Sequence, residues 1–350
     1  MTRRRTGRAQ AWAELLRVSA LFSVPGDALA GAAAAGARPG RGTLCAIGAS
    51  LCLYEAGMAL NDWADRTEDA AERPHRPLPS GRITPSAALT ASAALTTAGL
   101  ALASRAGRPA LAVATALATT VWAYDLGLKH TPAGPATMAT ARALDLLLGA
   151  TASTSGDSAA HRRAAHALPS AALLGAHTYA VTAVSRHETQ GGSTRTPLAA
   201  LAVTLTVAGV ASGAASGAVP GVASGAVSGG LTGRRSGSPA AVSPSGGPAP
   251  APRPRPTLPT RLPLSSRRPP SRGLGSLLAL AYARTPATLL LHAALNPSAA
   301  LTERAVGGGI RATIPLQAAL AARAGAPGTA LALLGLVPAA RALARKVSPT

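Results

Sequence analysis

The sequence predicts an all-α fold, a polytopic transmembrane helical bundle. Charged residues make up 13% of the chain and hydrophobic residues 47%, whereas a soluble domain carries about 25% charged residues. Apolar segments of about 20 residues, the length that crosses a ~30 Å hydrocarbon core, recur along the chain. Between them lie short loops that hold Gly, Pro and Arg, the residues that punctuate helices. Ten spans follow, at 15–36, 43–61, 85–104, 108–124, 137–154, 166–185, 197–217, 274–293, 305–322 and 326–343. Many are Ala-rich, and alanine is nearly neutral toward a bilayer, so they insert less decisively than Leu-rich helices. Aromatic residues are 2% of the chain, with Phe22 the single Phe and three Trp, too few for an interfacial belt.

The net charge is +21 and nearly all of it is arginine, Lys129 and Lys346 being the only lysines. A nucleic-acid binder would also be basic, but these arginines sit between apolar segments, which excludes a nucleic-acid stripe and suits cytoplasmic loops. Arg3, Arg4, Arg5 and Arg8 place the start in the cytoplasm. Two crossings bring 66–82 to the same side, the loops at 125–135 and 185–196 follow, and ten crossings return Arg341, Arg345 and Lys346 there. The expected organisation is a basic segment at 1–14, helices one to seven over 15–217, a linker at 218–272, helices eight to ten over 273–343 and a tail at 344–350. The linker is rich in Gly, Ser, Pro and Ala, with eight arginines and no acid, a composition expected to be disordered. This topology leaves it outside, against its charge.

Gly209, Gly213, Gly217, Gly221, Gly225 and Gly229 recur every four residues. That is either a face for close helix approach in a membrane or drift in a low-complexity repeat. Cys45 and Cys52 lie seven apart on one predicted helix and cannot pair; they read as small apolar residues. The start lacks a secretory cleavage site.

The chemistry concentrates after the second span. Five of the thirteen acids fall between Asp62 and Glu72. If the helix continues through Asn61-Asp62-Trp63-Ala64-Asp65-Arg66-Thr67-Glu68-Asp69, then Asn61, Asp62, Asp65 and Asp69 share one face. Clustered carboxylates need a cation among them, and hard oxygen ligands suit Mg²⁺. The competing reading is a solvated loop whose acids pair with Arg66, Arg73 and Arg76.

Asn61-Asp62-x-x-Asp65-x-x-x-Asp69, followed by Arg73 and by Arg76-Pro77-Leu78-Pro79-Ser80-Gly81-Arg82, resembles the first aspartate-rich motif and basic loop of UbiA-family intramembrane prenyltransferases. The resemblance implies that Asn61, Asp62, Asp65 and Asp69 hold Mg²⁺ on the diphosphate of a polyprenyl donor, with Arg73 and Arg76 on that diphosphate. Tyr124-Asp125-Leu126-Gly127-Leu128-Lys129, then Thr131-Pro132, resembles the family's Tyr-x-x-x-Lys segment with one extra residue, and implies roles for Tyr124 and Lys129 in binding it. Arg17 with Val24-Pro25-Gly26-Asp27 also resembles the family's start, and the resemblance implies that Arg17 binds substrate. The likeness covers about 11–217 and 274–322 and implies nine core helices, with 326–343 an addition.

The family's second acidic motif is degenerate. Ser185 stands where its leading Asp is expected, and Glu188 is the only acid of Ser185-Arg186-His187-Glu188. Ser185 and Glu188 are therefore expected in the substrate site, Glu188 also as a metal ligand, with His187 a lesser candidate. Together with Arg304-Ala305-Val306-Gly307 and Ile314-Pro315-Leu316-Gln317, these features look closest to the EboC-like branch. The implied function is Mg²⁺-dependent prenyl transfer at the cell membrane. The alternative is a non-catalytic membrane component that binds or moves an isoprenoid or lipid phosphate. The partners are a polyprenyl diphosphate, the bilayer and an acceptor that the sequence leaves open.

Overall fold

The computed structural model describes residues 2–17, 23–156, 158–187, 192–213 and 272–347. Residues 218–271 of the expected linker, Glu188 and the glycines from Gly217 to Gly229 lie outside the described residues; Arg272, the linker's expected last residue, opens a helix. The described helices all belong to one compact unit, and no strand occurs among the described residues.

Thirteen helices are described: α1 Thr2–Leu15, α2 Val24–Ala34, α3 Arg41–Ala64, α4 Arg66–Glu72, α5 Pro85–Arg105, α6 Arg108–Leu126, α7 Gly134–Thr154, α8 Ala160–Ala165, α9 Leu168–Ser185, α10 Arg195–Ala211, α11 Arg272–Leu295, α12 Ala299–Arg323 and α13 Pro327–Val347. Nine of the ten predicted spans coincide with α3, α5, α6, α7, α9, α10, α11, α12 and α13. The first does not survive as one helix. α1 ends at Leu15, a turn follows, and Arg17 takes a left-handed φ of 46°. A new helix then starts with Pro25 in its first turn, where a proline's missing N–H costs nothing. At 11 residues α2 is about 16 Å long, half a bilayer core. The segment expected as a basic N-terminal stretch at 1–14 is thus itself helical from Thr2.

α3, α5, the run Ala160–Ser185 and α11 are long and apolar enough to cross a membrane, while α10 and the first part of α13 are apolar but shorter. The other long helices α6, α7 and α12 carry Arg, Asp, Glu, Thr, Gly or Gln among their alanines and are less apolar. In their apolar surroundings, Thr115, Thr119, Thr120, Thr178 and Thr204 donate their hydroxyls to the carbonyl one turn back, at 2.8–2.9 Å, so no hydroxyl proton is left bare.

Small residues set the packing. α7 is central and touches α2, α3, α6 and α9. A Cβ on Gly31 of α2 would sit 2.0 Å from Leu146 O, and one on Gly149 of α7 would sit 2.4 Å from Ala28. These two glycines let the α2 and α7 backbones approach as glycine does in membrane helix pairs. The four-residue glycine repeat does not act this way where it is described: a Cβ added to Gly209 or Gly213 would meet nothing within 4 Å. Cys45 and Cys52 are free thiols, half-buried on α3.

Candidate active site at the mouth of a helix-walled cavity

The acidic motif sits on a near-continuous junction of α3 and α4. Asp65 N donates to Asn61 O at 2.9 Å and Asp69 N to Asp65 O at 2.8 Å, so helical spacing persists past Ala64. One face turns inward. Asp62 and Asp69 are 5% and 3% exposed, Asp65 is half-buried, and Glu68 and Glu72 face out.

Four bases from three places in the chain meet these acids. Arg17, after α1, reaches Asp62 at 3.4 Å. Arg76, from the loop after α4, donates to both Asp69 oxygens at 3.0 and 2.8 Å and lies 3.7 Å from Asp62. Arg73 lies 3.7 Å from Asp69. Lys129, on the 3-10 turn Leu128–His130 after α6, lies 2.5 Å from Asp65. Arg66 instead stacks over Trp63 at 4.6 Å and donates to its carbonyl. The competing loop reading is therefore half right: Arg73 and Arg76 do pair with the acids, but the paired acids are buried rather than solvated.

The loop is held by packing beneath it. Ala11, Leu15, Ala59, Leu78, Ile83 and Ala88 form a buried cluster joining α1, α3, the loop and α5. Arg82 pairs with Glu14 at 2.7 Å and donates to His75 O at 2.7 Å.

Asp62 Oδ1 and Asp69 Oδ2 converge on a single nitrogen, Arg76 Nη1. Two acid oxygens on one cationic point fit Mg²⁺, which takes one or two carboxylates and completes its shell with water and phosphate oxygens. Asn61 and Asp65 are engaged elsewhere, Asn61 donating to Asp125 Oδ1 at 3.1 Å. Among the described residues no three Asp, Glu, His or Cys side chains form a metal cluster.

Beside these groups opens a cavity of about 340 Å³ walled by α3, α6 and α7; Arg17 and Asn61 line it, whereas Asp62, Asp65, Asp69, Arg73, Arg76 and Lys129 are not among its lining residues. Arg17, Asn61, Tyr124 and Asp125 line its polar mouth, and Leu53, Met58, Leu117, Val121 and Met138 its apolar middle. Ser185 is not among the lining residues; its hydroxyl donates to Thr182 O of its own helix at 2.9 Å. Arg186 next to it donates to Thr131 O, joining the end of α9 to the turn that carries Lys129.

Sequence reasoning missed Asp125, which adjoins Tyr124 in the quoted motif, and missed Ser50, Arg142 and Asp145 at the other end of the cavity. Arg142 and Asp145 were visible as two charges inside an apolar span, itself a sign of function in a membrane helix.

Residues 21–235, more than half of the chain, match the model of the UbiA prenyltransferase family. The chain is 32% identical over 128 residues to a digeranylgeranylglyceryl phosphate synthase of Methanopyrus kandleri, covering 35% of this chain and 45% of that one. It is 34% identical over 126 residues to the synthase of the same name from Korarchaeum cryptofilum, covering 36% and 44%. The chain thus spans less than half the length of these curated relatives. The apo structure of a UbiA homolog from Aeropyrum pernix K1 shares the fold, with a TM-score of 0.58 at 14% identity, covering 86% of this chain and 96% of that one. A structure concerning digeranylgeranylglyceryl phosphate synthase in membranes aligns with a TM-score of 0.55 at 14% identity over 92% and 99%. With its apolar helices, its acid-and-base rim and this match, the chain belongs to the UbiA prenyltransferase family.

Proposed function

We propose that this protein is an Mg²⁺-dependent prenyltransferase of the cell membrane. It moves a polyprenyl group from an allylic diphosphate to an acceptor and releases diphosphate. The observation that carries the reading is the rim, where Asp62 and Asp69 converge on one cationic point, ringed by Arg17, Arg73, Arg76 and Lys129, at the mouth of an apolar-walled cavity. The relatives' name, digeranylgeranylglyceryl phosphate synthase, denotes an isoprenoid-bearing product and supports an isoprenoid donor.

Asp62 and Asp69 would hold the Mg²⁺, with Asn61 and Asp65 beside them. The metal would supply charge neutralisation as negative charge grows on the departing diphosphate. Arg73, Arg76 and Lys129 bind and orient that diphosphate, and Tyr124 lines the entrance. Leu53, Met58, Leu117, Val121 and Met138 exclude water from the allylic carbon, which would otherwise be hydrolysed. Ser185 and Glu188 form the remnant of the family's second acidic motif. The Arg-rich segments put both termini and the motif loops on the cytoplasmic side.

Purified full-length protein, given a labelled prenyl diphosphate, is expected to release diphosphate only with Mg²⁺. Asp62→Asn and Asp69→Asn should each lower release by about 10²–10³-fold, the scale of losing one charge-stabilising group. Release at the wild-type rate from both variants would refute the assignment. Binding of donor without release would favour the non-catalytic alternative, which the degenerate second motif motivates.

A further inference from the structure

The end of the bundle farthest from the rim carries a second concentration of charge, and there the charge has one sign. α3 runs from Arg41 to Asp62 in about 32 Å at 1.5 Å per residue, so Arg41 stands a bilayer core away from the acids. The turn between α2 and α3 and the start of α3 supply Arg38 and Arg41, the turn between α5 and α6 is flanked by Arg105 and Arg108, α8 holds Arg162, and α12 ends at Arg323. All six are exposed. Packing joins these pieces. Thr43 Oγ1 of α3 and Ser153 Oγ of α7 lie 2.7 Å apart. A Cβ on Gly107, in the turn between α5 and α6, would lie 3.1 Å from Ser155 Oγ. Arg163, beside Arg162, donates to Ala35 O at the end of α2 at 3.2 Å. Ala33 of α2 packs in one cluster with Ala321 and Ala322, just before Arg323.

The two ends treat their bases differently. At the rim, Arg17, Arg73, Arg76 and Lys129 each meet an acid. At the far end, Arg38, Arg41, Arg105, Arg108, Arg162 and Arg323 make no ion pair among the described residues. Close to the arginines the surface turns apolar. Leu44, three residues into α3 from Arg41, is 68% exposed, and Leu168 and Leu331, at the starts of α9 and α13, are 54% and 58% exposed. Cations standing over exposed leucines match a molecule with an anion at one end and hydrocarbon at the other. A soluble anion would use the arginines and leave the leucines bare. Basic clusters at the edge of a membrane span attract anionic lipids in this way.

We propose that this far end is a docking surface for phospholipids of net negative charge, whose phosphodiester head groups meet the arginines while their acyl chains lie against the leucines beneath. The planar guanidinium fork meets two phosphate oxygens at once. A zwitterionic lipid carries its own ammonium to the same place and gains less. The inference stands apart from the prenyl-transfer reading, since it uses neither the rim nor the cavity.

The test is lipid binding to the full-length protein in a non-ionic detergent, counted by native mass spectrometry. The probes are phosphatidylglycerol, phosphatidylcholine with the same chains, and inorganic phosphate. The wild type is expected to hold phosphatidylglycerol at least tenfold more tightly than either of the others, and to lose that preference at high salt. Removing two arginines at a time, as Arg38→Gln with Arg41→Gln or Arg105→Gln with Arg108→Gln, should weaken phosphatidylglycerol about tenfold. Arg195→Gln with Arg304→Gln removes two exposed charges at the starts of α10 and α12, at the rim end, and should leave the binding unchanged. The eight arginines of 218–272 are present in every variant, so they cannot produce the difference. All the substituted residues are exposed, and lipid-free melting curves that match the wild type show that each variant folds. The second far-end pair decides the matter if the first fails to fold. The proposal is overturned if phosphatidylcholine or inorganic phosphate binds as tightly as phosphatidylglycerol, if both folded far-end pairs bind it as the wild type does, or if the rim-end pair weakens it equally. No prenyl diphosphate or Mg²⁺ is present, so the outcome is separate from that of diphosphate release.

Discussion

At the mouth of the cavity, three acids meet four bases supplied by three separate places in the chain, and the arginines are partly open: the side chains of Arg17, Arg73 and Arg76 are 41%, 49% and 23% exposed. At the inner end, Arg142 is 17% exposed, Asp27 not at all, and both are locked between α2, α7 and α12. The rim pairs range from 2.5 to 3.7 Å, and several share partners: Arg76 reaches Asp62 and Asp69, and Asp69 also meets Arg73. The inner pair, at 2.9 Å, is walled in. An ion pair that must open for a ligand and one that must hold a shape are built differently from the same residue types.

That difference should show most strongly in stability. Removing one partner of a buried pair leaves the other charge uncompensated, at a cost of about 3–5 kcal/mol. Arg142→Leu is therefore expected to lower unfolding stability by about that much. Replacing both partners, as Arg142→Leu with Asp27→Leu, should recover part of the loss, because Asp27 is then no longer left without its base, while Asp145 stays buried nearby. Unfolding in detergent followed by circular dichroism measures the cycle. If the single variant is no less stable than the double, the inner pair is not a coupled, buried unit.

The next effect concerns the rim. Without ligand, Arg76 Nη1 holds the point on which Asp62 and Asp69 converge. A divalent ion binding alone must displace it, whereas a diphosphate offers Arg76 a new anion. Mg²⁺ and inorganic pyrophosphate are thus expected to raise each other's affinity by about tenfold or more, by the same factor in both directions. Calorimetric titration, corrected for the complex the two form in solution, measures this. Arg76→Gln should abolish the coupling and let Mg²⁺ bind alone; equal Mg²⁺ affinity with and without pyrophosphate in the wild type would break the comparison.

Much of this was legible from local pattern. Helical spacing alone put Asp62, Asp65 and Asp69 on one face, and the i→i−4 bonding across Ala64 and Asp65 preserves it. Nine spans were set by apolar length. The first was misread because apolar length does not register the turn at Leu16 and Arg17, where Arg17 takes a left-handed φ; Pro25 marks the start of the next helix, where a proline is at home. What local pattern does not encode is partnership across the chain. Arg142 and Asp145 stood out as charges in an apolar span, but Asp27, Ser50 and Gln317 reach them only through the close approach of α2 and α7 at Gly31 and Gly149. The same holds for Lys129, whose partner Asp65 is a property of the bundle. Nor does the family's motif spacing say that Asn61 turns to Asp125.

The smallest expected effect is at Arg73, and it sharpens the contrast because its neighbour is nearly as buried as Asp27. Asp69 is 3% exposed, yet its pair with Arg73 is 3.7 Å long and Arg73 is half in water. Arg76 stays on Asp69 at 2.8 Å when Arg73 is removed. The buried acid is therefore never left alone, and the exposed partner is screened by solvent. Arg73→Ala should change stability by about 0–1 kcal/mol, as exposed pairs do, while raising the KM for the prenyl diphosphate a few-fold through the lost positive charge. Melting curves and donor titrations on the same preparation read both. A stability loss as large as that of Arg142→Leu would mean that the rim is as rigid as the interior, and its ion pairs could not then open to admit a diphosphate.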